Sequence, residues 1–249
     1  MCWGIGTCHR GYPDQALKAV EEGLQHARST NRHTLAYALI YKGLTAISAR
    51  WATETEQAAD ELVSHTREHG FPLFLAYGLL LQAGAMTLRG EGPIAVDRIR
   101  QGVAAMQATG MARSEPMVLC YMAEALALTG AVAEGLLALA AALAAAEASG
   151  THWADAEVHR LRGSLLGRLP STDWSDIETC FRTALTLARE QGSRGFELRA
   201  AVDLARLLSA QQRQAEARAL LAPVYGWFTE GFETPDLQEA QTLLETLDP

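Results

Sequence analysis

The sequence predicts an all-α fold, a right-handed α-solenoid of about six helical hairpins with a period near 40 residues and a C-terminal capping helix. The 249 residues include 44 alanines and 35 leucines but only 15 valines and isoleucines together. Ala and Leu lose little conformational freedom in a helix, whereas β-branched residues are typical of sheets. The composition therefore favours helices and largely excludes sheet-based enzyme folds.

Glycines mark the predicted helix ends. In the middle of the chain five of them stand 20 residues apart, at Gly70, Gly90, Gly110, Gly130 and Gly150. Gly ends a helix readily because it adopts the left-handed conformation without a Cβ penalty. Start signals are capping boxes at 53–56 and 175–178 and Pro93 at an early helical position. The pattern predicts a row of helices joined by short turns.

Small residues recur every 40 positions in the first helix of each predicted hairpin, at Gly43, Ala83, Ala123 and Gly163. Such residues let the backbone of a neighbouring helix approach closely. Because one hairpin cannot bury its own apolar face, we predict that the hairpins stack into a single domain over residues 1–249. The predicted repeats are 1–30, 31–70, 71–110, 111–150, 151–192 and 193–232, with a cap at 233–249.

This layout resembles tetratricopeptide repeats, most clearly in Leu204, Ala205 and Leu208 followed by Ala217 and Leu221. Over nearly its whole length the chain is similar to the C-terminal helical-repeat region of bacterial multidomain signalling proteins. In those proteins the repeats follow a STAND-type ATPase with a cyclase homology domain or a DNA-binding domain, as in maltose-regulator-like activators. The segments that carry the resemblance are 11–17, 69–72, 159–163 and 215–232.

The first predicted helix is short and has no preceding partner, since the chain starts within its first repeat. We therefore expect either that the chain is a fragment of a longer protein or that something else covers an exposed N-terminal edge. The resemblance does not bring the ATPase or cyclase activity to this chain, because no residue here matches those sites.

The net charge of −8 argues against a nucleic-acid surface or a basic membrane-binding patch, both of which need excess positive charge. The longest uncharged apolar stretches, 71–81 and 135–146, are shorter than the roughly 18–20 residues that span a bilayer. The N-terminus lacks the basic and apolar regions of a signal peptide. We predict a cytoplasmic protein with no membrane and no direct nucleic-acid partner.

Catalytic motifs are missing from the sequence: it contains no phosphate-binding loop, no H-E-x-x-H and no G-x-S-x-G. Cys2, Cys8 and His9 could offer three zinc ligands, but their spacing is not a known zinc pattern and a fourth ligand is missing. His65 and His69 are better explained by the end of a helix, where the dipole favours histidine. We therefore expect no enzyme activity, no cofactor and no metal.

A concave groove is the predicted binding surface, because in solenoids of this type the first helix of each hairpin lines the concave side. An extended ligand with an apolar and an acidic end would fit, since Arg binds carboxylate or phosphate bidentately. Alternatively, the arginines form a solvated face with intrahelical partners such as Glu157 and Glu197. The predicted groove residues are Tyr37, Ile40, Leu44, Tyr77, Leu80 and Met117 in the early repeats and Glu157, Arg160, Arg168, Arg199 and Arg206 in the later ones.

Three functions are compatible with these features. The first is a non-catalytic interaction or sensor module of a bacterial signalling or transcription regulator, which binds a protein segment or effector in the groove. Its candidate partners include an N-terminal ATPase- or cyclase-type domain of the same protein. The alternative is a receptor for an acidic or sugar-like metabolite. The least favoured is part of a cyclase or ATPase whose active domain lies in a missing N-terminal region.

Overall fold

The computed structural model describes residues 3–110, 116–170 and 172–247. Within these ranges the chain forms thirteen α-helices and no strand, which confirms the predicted all-α class. The helices are α1 (Trp3–His9), α2 (Pro13–Arg28), α3 (Arg32–Ser48), α4 (Ala52–His69), α5 (Pro72–Leu88), α6 (Gly92–Ala108), α7 (Pro116–Leu128), α8 (Val132–Ser149), α9 (Asp155–Leu166), α10 (Trp174–Glu190), α11 (Arg194–Ala210), α12 (Gln214–Tyr225) and α13 (Pro235–Thr246).

Consecutive helices pack against each other as hairpins, so the predicted solenoid of stacked hairpins is confirmed. Helices α1, α3, α5, α7, α9 and α11 also contact one another in that order, and we call them the inner helices. The even-numbered helices from α2 to α12 pack against their neighbours along the chain and form an outer layer, in which side chains such as Arg28 and Glu61 also pair between α2 and α4. Helix α13 packs on α11 and α12.

The glycines spaced 20 residues apart end helices as predicted. Their φ angles lie between +66° and +83°, the left-handed region in which a side chain would be strained. Gly70 and Gly150 are themselves the C-caps of α4 and α8, while Gly90, Gly110 and Gly130 lie in the turns that follow α5, α6 and α7. Backbone chemistry alone therefore sets most of the hairpin boundaries.

Close helix contacts explain the recurrence of small residues. A Cβ atom at Gly43 would lie 2.5 Å from Cδ1 of Leu81, and one at Gly163 would lie 2.6 Å from Cε1 of Phe181. Ala83 and Ala123 are completely buried at the equivalent positions. The small residues thus allow the large side chain of a neighbouring helix to pack directly on the backbone.

The two predicted capping boxes are wrong, because both helices begin earlier. Helix α10 starts at Trp174, and its N-cap is Asp173, whose Oδ1 accepts a hydrogen bond from the backbone N–H of Ser175 at 3.0 Å. Helix α4 starts at Ala52, and the hydroxyl of Thr55 donates to the carbonyl of Trp51 at 2.7 Å instead of belonging to a box. A good cap residue two positions upstream takes precedence over the box in α10.

The N-terminal edge is not exposed: the chain's own last hairpin covers it. Helix α1 contacts α11, so the inner helices close into a ring. Next to this contact, the backbone N–H of Gly231 donates to Oδ2 of Asp14 at 3.0 Å, and the backbone and side-chain N–H groups of Gln15 donate to the carboxylate of Glu230. What covers this edge, which the sequence left open, is therefore residues 194–237 of the same chain.

An aromatic contact completes this closure. The indole of Trp227 lies 5.5 Å from the ring of Tyr12 and 4.7 Å from the guanidinium carbon of Arg194. Gly11, with φ +93°, passes so close that a Cβ there would lie 2.5 Å from Trp227. Trp227 thus joins the two ends of the ring, in addition to packing beside Phe228 at the last hairpin.

Helix α8 is the one helix in the described ranges that is long and apolar enough to cross a bilayer by length and composition. Its span contains Glu134 and Glu147, and it packs against α7 and α9 as the second helix of its hairpin. Only 22% of the span is buried, and Leu137 on its outer face is 71% exposed. Since a repeat helix passes the same test, this feature is weak evidence for a membrane span.

Candidate functional site: a central cavity and an ionic network

The inner helices surround a cavity of about 270 Å³, which we call the central cavity. Each inner helix contributes at least one wall residue, from Ile5 in α1 to Phe196 in α11. Most of the wall is carbon: leucine, isoleucine, methionine and aromatic side chains predominate. A concave, mostly apolar cavity with a few polar groups is the usual form of a small-molecule site.

The apolar wall includes four of the predicted groove residues. Leu44 in α3, Tyr77 and Leu80 in α5 and Met117 in α7 all line the central cavity. They meet there because α3, α5 and α7 are inner helices that turn one face towards the centre of the ring. The inner helices therefore bring these four side chains together as expected.

At the α1–α11 junction the wall is aromatic and carries one unusual polar group, His9. Its imidazole lies 4.8 Å from the ring of Phe196 and 5.6 Å from Trp153. Its Nε2 atom is buried and has no hydrogen-bond partner among the described residues. Burial, together with the positive charge of Arg199, lowers the pKa of His9 from 6.5 to about 4, so the ring is neutral at pH 7.

One side of the cavity borders a set of charges that we call the ionic network, buried at its centre and exposed at the Arg206–Glu239 pair. Its centre is Arg160, which donates two parallel hydrogen bonds to Glu157 at 2.7 and 2.9 Å and a third to Asp203 at 2.8 Å. Bidentate Arg–carboxylate pairs are among the strongest polar contacts in proteins. The network consists of Arg50, Arg160, Arg199 and Arg206 with Glu124, Glu157, Asp203, Asp236 and Glu239.

Arg199 connects this network with helices near both ends of the chain. Its Nε donates to Asp236 of α13 at 2.6 Å, and its Nη2 donates to the carbonyl of Ser48 in α3 at 2.5 Å. Arg50 approaches Asp236 at 3.6 Å and Glu124 of α7 at 3.4 Å. The capping helix is thus tied by charge to the early repeats.

The charges of the network are held fixed by one another. Burial alone raises the pKa of Glu157, but the charge of Arg160 and its hydrogen bonds outweigh burial and lower the pKa from 4.5 to about 2. Burial also lowers the pKa of Arg199, whereas Asp236 and Glu157 raise it, and the net direction is upward. Both partners therefore stay ionised and paired at pH 7.

The structure distributes the predicted groove residues over three places. Glu157 and Arg199 line the central cavity with the four apolar residues. Arg160 and Arg206 lie in an adjoining polar chamber of about 160 Å³, and Arg168, with Arg160, lines another of about 210 Å³. Within the latter, Nη1 of Arg168 donates to the carbonyl of Ala127 at 2.6 Å.

Two predicted groove residues lie outside the cavity. Ile40 is 5% exposed and packs in the core between hairpins, so placing it in the groove was wrong. Tyr37 is 44% exposed and does not line the cavity, and its ring lies 4.7 Å from Phe74. The 40-residue recurrence identifies which helix is inner but does not resolve the rotation of α3 to one residue.

The predicted Arg-rich end of the groove also needs correction. Arg160, Arg199 and Arg206 all pair with carboxylates that approach from neighbouring helices, so this region is not a free positive surface. Several of these carboxylates, such as Asp203 and Asp236, come from α11 and α13 rather than from the same helix as their arginine. The alternative holds only in part: Arg160 binds Glu157 within α9, but both side chains are buried rather than solvated, and Glu197 binds Arg189 and Arg194.

Sequence reasoning missed the wall residues that ring closure supplies: Ile5, His9, Trp153 and Phe196. They lie on the first, fifth and sixth hairpins, and no spacing in the sequence links the first hairpin with the last. It also missed Arg50 and Glu124, since an exposed-looking charge gives no sign of a buried partner 74 positions away.

The residues that could have offered zinc ligands do not form a site in the described part of the chain. Cys2 lies outside the described residues. Cys8 is buried, its Sγ contacts the carbonyl of Thr45 at 4.0 Å, and burial raises the pKa of its thiol to about 12. His65 binds the carbonyl of Arg32 through Nε2 at 2.7 Å. Over residues 3–110, 116–170 and 172–247, no group of three metal-ligand side chains comes together.

Neither the comparison with protein-family models nor the comparison with curated proteins found a match for this chain. The resemblance to tetratricopeptide repeats of signalling proteins therefore stays a prediction. What stands on the structure is the closed ring of helical hairpins with a central apolar cavity beside a buried ionic network.

Proposed function

We propose that this protein is a non-catalytic sensor that binds a small, mostly apolar effector in its central cavity. The observation that carries the proposal is the cavity of about 270 Å³ to which every inner helix contributes a wall residue. A ligand there touches all the hairpins at once. Its binding free energy therefore adds to the stability of the whole ring.

Ring closure favours a small effector over a long protein segment. An extended peptide needs a groove that is open at both ends. Here the contacts of α1 with α11 and of Asp14 with Gly231 close the circle. A compact molecule fits this interior without separating the two ends of the chain.

The ionic network favours an apolar effector over an acidic one. A carboxylate or phosphate ligand would have to displace Asp236 from Arg199, or Glu157 and Asp203 from Arg160. Removing one partner from a buried charge pair leaves an uncompensated charge, which costs about 3–5 kcal/mol. Apolar walls, by contrast, gain free energy whenever a ligand displaces water from them.

The cavity walls do not favour covalent catalysis. Cys120 lines the cavity, and burial raises the pKa of its thiol well above the ordinary value, so the nucleophilic thiolate is suppressed. The carboxylate of Glu157 is held by Arg160 with a pKa of about 2, too low for a general base near pH 7.

The effector signal has a physical route to the surface through Arg199. This side chain lines the cavity and also binds Ser48 in α3 and Asp236 in α13. A bound effector that favours the closed ring thereby fixes the position of the capping helix. We propose that a partner protein or an attached regulatory domain responds to this change, as the resemblance to signalling proteins implies.

The test is to fill the cavity and measure binding of a neutral apolar probe, β-methylnaphthalene, by equilibrium dialysis and thermal shift. Leu44→Trp replaces leucine by a larger, aromatic side chain in the cavity. It should weaken probe binding at least about tenfold, equivalent to about 1.4 kcal/mol. Leu137→Trp makes the same exchange on the outer face of α8 and should leave binding unchanged.

Met117→Trp repeats the test from the α7 wall, so the result does not depend on how one variant folds. Far-ultraviolet circular dichroism verifies that each variant keeps its helices. The proposal fails if the wild-type protein does not bind the probe, or if both cavity variants bind it as tightly as the wild type does.

A further inference from the structure

Several polar groups that line the central cavity have hydrogen-bond partners within the protein. The hydroxyl of Ser48 donates to the carbonyl of Leu44 at 2.7 Å, and that of Thr87 donates to Ala83 at 2.9 Å. The charged side chains on the wall belong to the ionic network. Of the cavity's described polar side chains, His9 alone has a buried atom, Nε2, that lacks a protein partner.

An unpartnered buried nitrogen in a concave site is a binding group. Leaving such an atom unsatisfied is unfavourable by about 1–3 kcal/mol, which a ligand with a matching group recovers. The rings of Phe196 and Trp153 contact the imidazole and so restrict its orientation. His9 therefore presents a positioned hydrogen-bonding atom rather than a mobile side chain.

The charge of His9 determines which ligand group matches. Burial and the nearby Arg199 lower its pKa to about 4, so the neutral imidazole prevails at pH 7. A neutral imidazole nitrogen either donates or accepts one hydrogen bond, according to its tautomer. It offers no positive charge that would attract an anion into a wall of carbon atoms.

The volume of the cavity sets the size of the ligand. An apolar cavity of about 150 Å³ in another protein holds one benzene molecule. The central cavity measures about 270 Å³, somewhat less than twice that volume. A bicyclic aromatic molecule, or an aliphatic one of the same bulk, is the matching size.

We infer that the effector is an uncharged amphiphile, with an apolar body of bicyclic size and one hydroxyl, carbonyl or amide group bound to the imidazole of His9. The inference rests on the proposed function, because it specifies the ligand of the same cavity. It assigns His9 as the specificity residue and the leucine and methionine side chains as the apolar contact surface.

The experiment compares three probes of one shape: β-naphthol, β-methylnaphthalene and β-naphthoate. They differ in carrying a neutral hydroxyl, a methyl group or a carboxylate. In the wild-type protein at pH 7, β-naphthol should bind about tenfold more tightly than β-methylnaphthalene, and β-naphthoate should bind most weakly. Equilibrium dialysis measures all three dissociation constants.

His9→Phe keeps an aromatic ring beside Phe196 and Trp153 but removes both ring nitrogens. In this variant the tenfold preference for β-naphthol should disappear, while β-methylnaphthalene binds as in the wild type. The matched control is His26→Phe, the same exchange at an exposed position of α2, which should keep the preference.

The outcomes separate this inference from the proposed function. If β-methylnaphthalene binds but β-naphthol gains no advantage, or keeps its advantage in His9→Phe, the cavity is a receptor site and His9 is not its anchor. Tightest binding of β-naphthoate would overturn the uncharged class in favour of an acid. If none of the probes binds, the proposed function itself fails.

Discussion

The two sides of the ring interior differ in how their groups are satisfied. In the ionic network, Arg160 and Arg199 each bind two or more partners from other parts of the chain. In the central cavity, the side chains of Leu44 and Met117 face space that no other side chain fills, and Nε2 of His9 has no protein partner. One side is complete without a ligand, whereas the other is not.

Buried polar groups with partners in other helices are structural, whereas a buried group without a partner is available to a ligand. A first inspection of the sequence favours the arginines as ligand-binding groups, because they are charged and recur on inner helices. Their carboxylate partners convert them into cross-links between hairpins. The available polar group is instead a neutral histidine beside an apolar wall, and the following predictions test this division of roles.

Breaking the network should have the largest effect on stability. Arg160→Met keeps the aliphatic length but leaves Glu157 and Asp203 buried without their main partner. We expect the free energy of unfolding to fall by about 3–5 kcal/mol, measured by urea denaturation. Arg182→Met removes a half-exposed arginine from its pairs with Glu178 and Glu216, and should cost less than about 1 kcal/mol. Equal losses in the two variants would contradict a structural role for the network.

Acidification should have the second largest effect on stability, through His9. Its folded-state pKa of about 4 lies below the unfolded value of 6.5, so the folded protein resists protonation. The stability that depends on neutral His9 is present above pH 6.5 and is lost as pH falls towards 4. Between about pH 7 and pH 5, we expect a loss of about 2 kcal/mol from this group.

His9→Phe isolates that contribution. The groups that face His9 are Arg199 and Glu157, and Glu157 stays ionised across this range because its pKa is about 2. His159, whose pKa burial also lowers, acts in the same direction in both proteins and cancels in the comparison. Urea denaturation at several pH values should show a shallower dependence in the variant. Parallel curves would show that His9 is not held neutral by its surroundings.

Loosening the ring closure should have the smallest effect on stability, but it should also change the release of a ligand from the central cavity. Gly11→Ala introduces a Cβ at φ +93° and within 2.5 Å of Trp227. Gly130→Ala introduces the same strain at φ +83°, with nothing within 4 Å of the new Cβ. We expect Gly11→Ala to reduce the free energy of unfolding by about 1 kcal/mol more than Gly130→Ala.

Binding kinetics complete that test. Since His9 and Phe196 meet only in the closed ring, Gly11→Ala should also speed release of β-naphthol, measured by stopped-flow fluorescence. Gly130→Ala should leave the release rate at its wild-type value. If the two variants release the probe equally fast, closure does not control access to the cavity.

The candidate site was predictable only where it follows from the repeat. Leu44, Tyr77, Leu80 and Met117 lie on inner helices, which the recurrence of 40 residues identifies. His9 could not be found in this way. It lines the cavity because α1 reaches α11, and no local pattern reports a contact between the first and last hairpins.

The helices, their turns and their stacking follow from the sequence. Each of these depends on neighbours in the chain: Gly at left-handed turns, small residues at helix contacts and Leu in the gaps between them. Three features depend on the tertiary structure. They are the closure of the solenoid, the carboxylate that each arginine binds and the side of the interior that stays unfilled. Closure depends on small rotations between hairpins that add up around the ring, and it brings together residues such as Gln15 and Glu230, 215 positions apart.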